Sequence, residues 1–148
     1  KANRCNKNPV WKEKQKIVDL DLLKTTTENG QKKVRVIESS LKNPLAKASR
    51  SVFFLKKNFS SYSLLDVKLI TGRTHQIRTQ LSHLGFPILG DDKYGDFILN
   101  KSLKKIGLKR MLLHAAELGF LHPVTLENLL IKAPMPIHIS NFISKNEQ

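Results

Sequence analysis

Leu69-Ile70-Thr71-Gly72-Arg73-Thr74-His75-Gln76-Ile77-Arg78 is the stretch whose reading sets the fold. On its upstream side Leu65, Val67 and Leu69 alternate with polar residues, the period of two that puts them on one face of a strand. On its downstream side Ile77, Leu81 and Leu84 recur at i, i+4 and i+7, the period of an amphipathic helix, ahead of Gly85 and Pro87. A strand therefore ends at Thr71-Gly72, and a helix is predicted over 74–84 with Thr74 as its N-cap. With about 100° between residues, Arg78 falls roughly 60° from Leu81, at the border of the apolar stripe. Its side chain is predicted to be partly buried.

Outward from this corner the pattern stays legible. Residues 17–23, 33–37 and 49–56 are short runs rich in β-branched and aromatic side chains, separated by the turn signals Glu28-Asn29-Gly30 and Asn43-Pro44. They predict antiparallel strands, and Asp66 is expected to be buried within the strand that precedes the corner. Residues 1–16 carry many charges around isolated Val10 and Trp11 and predict an irregular basic arm, with 17–148 as one folded unit. Past the corner come a loop over 87–96, a basic helix over 97–105, a turn at Gly107, strands over 117–121 and 128–132, and a short helix within 136–142. The class is α+β: a mixed, mostly antiparallel sheet with flanking helices.

A chain of 148 residues with 40% hydrophobic side chains and seven Phe has the material for one domain with a core. Its formal charge is +14, most of it before residue 70, with later clusters at Lys101, Lys104, Lys105, Lys109 and Arg110. A polyanion is the natural partner, since lysine and arginine gain affinity for nucleic acid by displacing counterions from phosphates. Cys5 is the only cysteine, which excludes a disulfide scaffold and a cysteine-ligated zinc. No apolar run approaches the roughly 18 residues of a membrane span, and the start lacks a secretory leader, so a cytoplasmic protein is expected. Walker, Gly-x-Gly-x-x-Gly, His-Glu-x-x-His and Gly-x-Ser-x-Gly patterns are all missing from the sequence. The histidines at 75, 83, 114, 122 and 138 have no helix-face metal spacing, so neither a metal nor a cofactor is expected.

The corner reads Thr71-Gly72-Arg73-Thr74-His75-Gln76-Ile77-Arg78, and in this it resembles the RluA-type family of RNA pseudouridine synthases. The resemblance continues through Gly85 to Asp91, Tyr94-Gly95, Leu113-His114-Ala115, His122-Pro123 and Lys132-Ala133-Pro134, about residues 30 to 136 in all. The run Asp91 to Asp96, with the basic insertion before Arg110-Met111, looks most like the branch acting on large-subunit, 23S ribosomal RNA. The resemblance implies isomerisation of uridine to pseudouridine without cofactor or metal, by an aspartate that attacks the nucleoside. It also implies the pseudouridine synthase fold, here in part. By position Arg78 is the cation that pairs with that aspartate, and Leu113 the apolar contact to the target base.

The sequence departs from the family where the nucleophile belongs: no His-Arg-Leu-Asp segment is present. The chain is therefore expected to be the C-terminal part of the catalytic domain, inactive alone, with unpaired sheet edges that favour self-association. Arg73, His75 and Gln76 at the helix start, and Lys93 and Tyr94 in the following loop, are candidate RNA contacts. Against these readings stand capping of the helix by the first three and core packing of Tyr94. His114 and His122 are expected to satisfy backbone groups. The competing account of the whole is a basic RNA-binding module without chemistry.

Overall fold

In the computed structural model, which describes residues 11–38 and 43–146, four strands form an antiparallel sheet in the order β2-β1-β3-β4. They are β1 (Gln15–Thr26), β2 (Lys32–Ile37), β3 (Lys47–Asn58) and β4 (Ser63–Leu69). The long β1 is the hub, pairing with β2 over its C-terminal half and with β3 over its N-terminal part. After the corner come α1 (Gln76–His83), α2 (Phe97–Lys105), a separate hairpin of β5 (Glu117–Leu121) and β6 (Asn128–Lys132), and α3 (Ile137–Lys145). Every strand pairing among the described residues is antiparallel. No helix among them is long and apolar enough to cross a membrane.

The period of two sorts the sheet into faces. Val18 and Phe53 point to one side, where Leu81 of α1 and Trp11 complete a buried cluster with Ile77, Phe86 and Ile88 packed on it. Residues 11–14 are irregular as expected of the arm, but Trp11 belongs to the core, and β1 already starts at Gln15, inside the arm's predicted bounds. The indole is 2% exposed, its ring 5.8 Å from Phe53 and 5.0 Å from Phe86. Its backbone N–H donates to Ser63 Oγ, and its carbonyl accepts from Asn58 Nδ2. Burying ~200 Å² of aromatic surface is worth about 5 kcal/mol of transfer free energy, enough to draw a charged segment onto the fold. Residues 1–10, Cys5 among them, lie outside the described residues. Asp66 is a second correction: alternation puts it opposite Leu65 and Val67, so it is 64% exposed and paired with Lys56 at 3.2 Å.

The corner helix is shorter than its sequence suggests. Thr74 does not cap it; the N-cap is His75, in the left-handed region at φ 53° and without a side-chain cap bond. The reason is Gln76, whose Oε1 accepts from Thr71 Oγ1 and the Arg73 N–H at 2.9 Å each and so closes the turn in place of a threonine cap. The other end is as expected. Gly85, at φ 82°, donates to Ser82 O while Phe86 N–H donates to Leu81 O, a Schellman motif whose Phe86 packs on the cluster that holds Leu81.

Between α1 and the sheet lies a polar seam. Gln76 Nε2 donates to Ser51 Oγ and Arg50 O, and Gln80 Nε2 donates to Ser49 Oγ and more distantly to Ser49 O. Both glutamines and both serines are buried.

On the hairpin, Leu118, Phe120, Leu129 and Ile131 share one face by register. Leu118, Phe120 and Ile131 are 60%, 40% and 55% exposed, and the two-stranded ribbon stands apart from the larger sheet.

Candidate functional site

The corner motif positions His75 and Arg78, and the loop after α1 rises to meet them. Gly90 at φ 77° turns that loop under Arg110, and Asn100 of α2 grips it: Gly90 N–H donates to Asn100 Oδ1, and Asn100 Nδ2 donates to Asp91 O. Asp91 is thereby fixed with no exposed surface. Arg78 reaches it with two parallel bonds, Nε to Oδ2 at 2.8 Å and Nη2 to Oδ1 at 2.7 Å, and passes Asp92 at 3.4 Å. The Lys93 and Tyr94 amides also donate to Asp91 Oδ1 at 2.9 Å. Burial alone pushes the Asp91 carboxyl up, but the Arg78 guanidinium and the two amides outweigh it and hold it below the usual carboxylate range. The same side-chain bond raises Arg78 against its own desolvation.

This corrects one expectation. Arg78 is partly buried as its helical position requires, with 15% side-chain exposure, but its carboxylate belongs to its own chain. A bidentate fork closed on a dry carboxylate is a bond already made. Arg78 read as a cation waiting for an acid from elsewhere does not stand; it locks α1 to the loop. Sequence reasoning missed Asp91 as the partner of Arg78, although the sequence carries an aspartate directly after a glycine in the loop that follows an arginine-bearing helix. Asn100, 6% exposed, carried no signal in sequence.

Tyr94 sits above this pair, its ring 5.1 Å from the Arg78 guanidinium carbon. Its hydroxyl accepts from the Val34 N–H of edge strand β2 at 2.9 Å and meets His75 Nδ1 at 2.9 Å. At 9% exposure it is a packing residue, the alternative weighed against its reading as an RNA contact. Gln76, 3% exposed and bonded at both ends of its amide, is likewise structural. Gln76→Leu is expected to destabilise the chain by about 2 kcal/mol in urea denaturation, because it strands buried partners.

Arg73 remains exposed, with Nε on Ala48 O at 3.0 Å, and Lys93 Nζ leans on Lys32 O at the open edge of β2. Desolvation lowers the His75 pKa, and the nearby Arg78 and Lys93 charges lower it further, so the imidazole is neutral at neutral pH. Lys33, Lys93 and His83 with Tyr94 line a shallow cleft of 410 Å³ between β2 and the loop. Leu113 lies elsewhere. It lines an apolar cleft of 540 Å³ with Trp11, Tyr62, Leu81 and Phe142, and Arg78 is not among the lining residues. The structure thus brings His75, Arg78, Lys93 and Tyr94 together and leaves Leu113 apart. His114 and His122 do serve backbone groups, Ala133 O and the Val124 and Thr125 amides. Among the described residues no cluster of His, Cys, Asp and Glu could hold a metal ion.

No family model matches the sequence. Comparison with curated proteins finds ribosomal large subunit pseudouridine synthase C of Haemophilus ducreyi, 35% identical over 91% of this chain and 40% of that protein. The protein of the same name from Buchnera aphidicola subsp. Baizongia pistaciae is 39% identical over 85% of this chain and 38% of its own length. The solved structure of human RNA pseudouridylate synthase domain containing 1 superposes with a TM-score of 0.66 at 26% identity, over 84% of this chain and 49% of that one. The chain thus spans about two fifths of the curated relatives it matches. The resemblance read from the corner motif and its satellites is borne out in both sequence and fold.

Proposed function

We propose that this chain, a relative by sequence and fold of the RluA-type RNA pseudouridine synthases, is the C-terminal part of an enzyme that isomerises uridine to pseudouridine in large-subunit ribosomal RNA. The observation that supports this is the sequence likeness over 91% of the chain to a large subunit pseudouridine synthase C, with the shared motif folded as a locked strand-to-helix corner. The nucleophilic aspartate comes from outside these 148 residues, since no His-Arg-Leu-Asp segment is among them. This part supplies the positive surface: Arg73, His75 and Lys93 contact RNA, and the Arg78–Asp91 pair holds the helix and loop that carry them. Leu113, at 37% exposure on the rim of the apolar cleft, meets the target base. A uridine in a structured RNA must be extruded at a cost of a few kcal/mol before it is reached, and a net charge of +14 helps offset that cost. Neither metal nor cofactor enters this reading.

A second reading has an observation of its own. Because Arg78 is already paired within the chain, a basic RNA-binding module without chemistry would look the same here. Pseudouridine mapping of 23S RNA by carbodiimide-dependent reverse-transcription stops separates the two. With the gene disrupted, one or more sites are expected to disappear, to return with the complete gene and to stay missing when only these 148 residues are expressed. Identical maps from disrupted and intact strains would sink the synthase reading and leave the module.

A further inference from the structure

The hydroxyl of Tyr94 has one proton and two lone pairs, and its surroundings settle where the proton goes. One lone pair accepts the Val34 N–H at 2.9 Å. Were His75 Nδ1 protonated, it would donate to the same oxygen, and the hydroxyl proton would face no acceptor among the described residues in a side chain only 9% exposed. Buried donors are seldom left unpaired. The arrangement that orphans nothing has Tyr94 donating to Nδ1 and the imidazole proton on Nε2.

That second nitrogen diverges from the first across the ring, and among the described residues it has no hydrogen-bond partner. Two contacts brace the ring. It stands edge-on to Tyr94, centroids 5.5 Å apart at 67°, and its backbone is held in the left-handed region by the corner. Around it are Arg78, Lys93 and Lys24, and Asp91 is the acid among the described residues that acts on it.

We infer that His75 is a positioning residue for RNA: Tyr94 fixes it as the neutral Nε2–H tautomer, and the outward N–H, an uncharged donor, gives a hydrogen bond to a phosphate oxygen of the bound strand. The surrounding cations draw the phosphate in without direction, and the imidazole gives it one place to sit. This rests on the RNA reading above for its ligand, but the tautomer does not.

Nitrogen-15 long-range NMR on the histidine-labelled chain at neutral pH reads the tautomer directly, with the His75 signals assigned by their loss in His75→Asn. The expected spectrum has Nδ1 unprotonated and Nε2 protonated, and in Tyr94→Phe the preference fades and the ionisation midpoint rises. A protonated Nδ1 in the native chain overturns the inference whether or not Tyr94→Phe folds. Asparagine tolerates the left-handed backbone and can still accept from Tyr94, but it has no outward donor at that reach. His75→Asn is therefore expected to bind oligo(U) and oligo(A) RNA about tenfold more weakly, the loss of one hydrogen bond from a neutral donor to an anionic oxygen. The salt dependence should be unchanged, because no counterion is released at an uncharged donor. A loss confined to oligo(U), or a shallower salt slope, overturns the phosphate assignment. If the native chain binds neither RNA, the RNA reading falls and takes the phosphate contact with it, while the spectrum still decides the tautomer.

Discussion

Asp91→Ala is expected to cost about 3–5 kcal/mol of stability, the scale on which breaking one side of a buried ion pair is felt. The carboxylate has no exposed surface and four donors converge on it: Arg78 Nε and Nη2, and the amides of Lys93 and Tyr94. Alanine leaves a guanidinium in a nearly dry place with a weak contact to Asp92 and the Tyr94 ring above it, and two amides without an acceptor. Urea denaturation of Asp91→Ala, Arg78→Met and the double variant measures this. The double variant should be markedly more stable than the sum of the single losses, because removing both charges strands neither. Simple additivity would show that the pair is not the lock described. The pH dependence has a fixed sign. A carboxyl held below its ordinary range contributes fully above that range, and the contribution fades as pH falls through the folded-state value. The native chain should therefore lose stability on acidification more steeply than Asp91→Asn, which has no carboxylate left to protonate.

Gly90→Ala is expected to cost about 2–4 kcal/mol, from the left-handed backbone penalty together with overpacking. A Cβ there would sit 2.6 Å from Arg110 O and 3.0 Å from Met111 Cα, all of it backbone, at a φ of 77°. Gly30 is the internal control. At φ 73° it has the same conformational need, but its Cβ would meet nothing within 4 Å, so Gly30→Ala should cost only about 1 kcal/mol. If the two variants melt alike in urea, the close passage of the loop beneath Arg110 is not a rigid contact.

Much of the fold was legible because local chemistry announced it. The strands follow alternation, α2 starts and stops at the residues expected, and Gly85 ends α1 as its backbone demands. What the sequence concealed depends on partners distant along the chain. Trp11 looks like a stray aromatic among charges until Phe53 and Phe86 close on it. His75 displaces Thr74 as the helix cap because Gln76 ties the turn and Tyr94, nineteen residues on, holds the ring. Arg78 was rightly placed at the edge of the apolar stripe, yet no periodicity could say which acid would answer it. For the candidate site, residue types and exposed cations could be read from the motif. Which of them are turned inward could not, since Gln76 and Tyr94 look as available on paper as Arg73 and Lys93.

The amide-and-hydroxyl seam beneath α1 has a consequence for aim. An oily interface tolerates a helix that rolls a few degrees or slips along its axis, because one methyl contact replaces another at little cost. Gln76 and Gln80 mate with Ser51 and Ser49 one-to-one, and a displaced helix would leave those partners dry and unmatched. The helix is indexed to its strand as a gear is to a rack, and every group hung from its first turn inherits that fixed bearing.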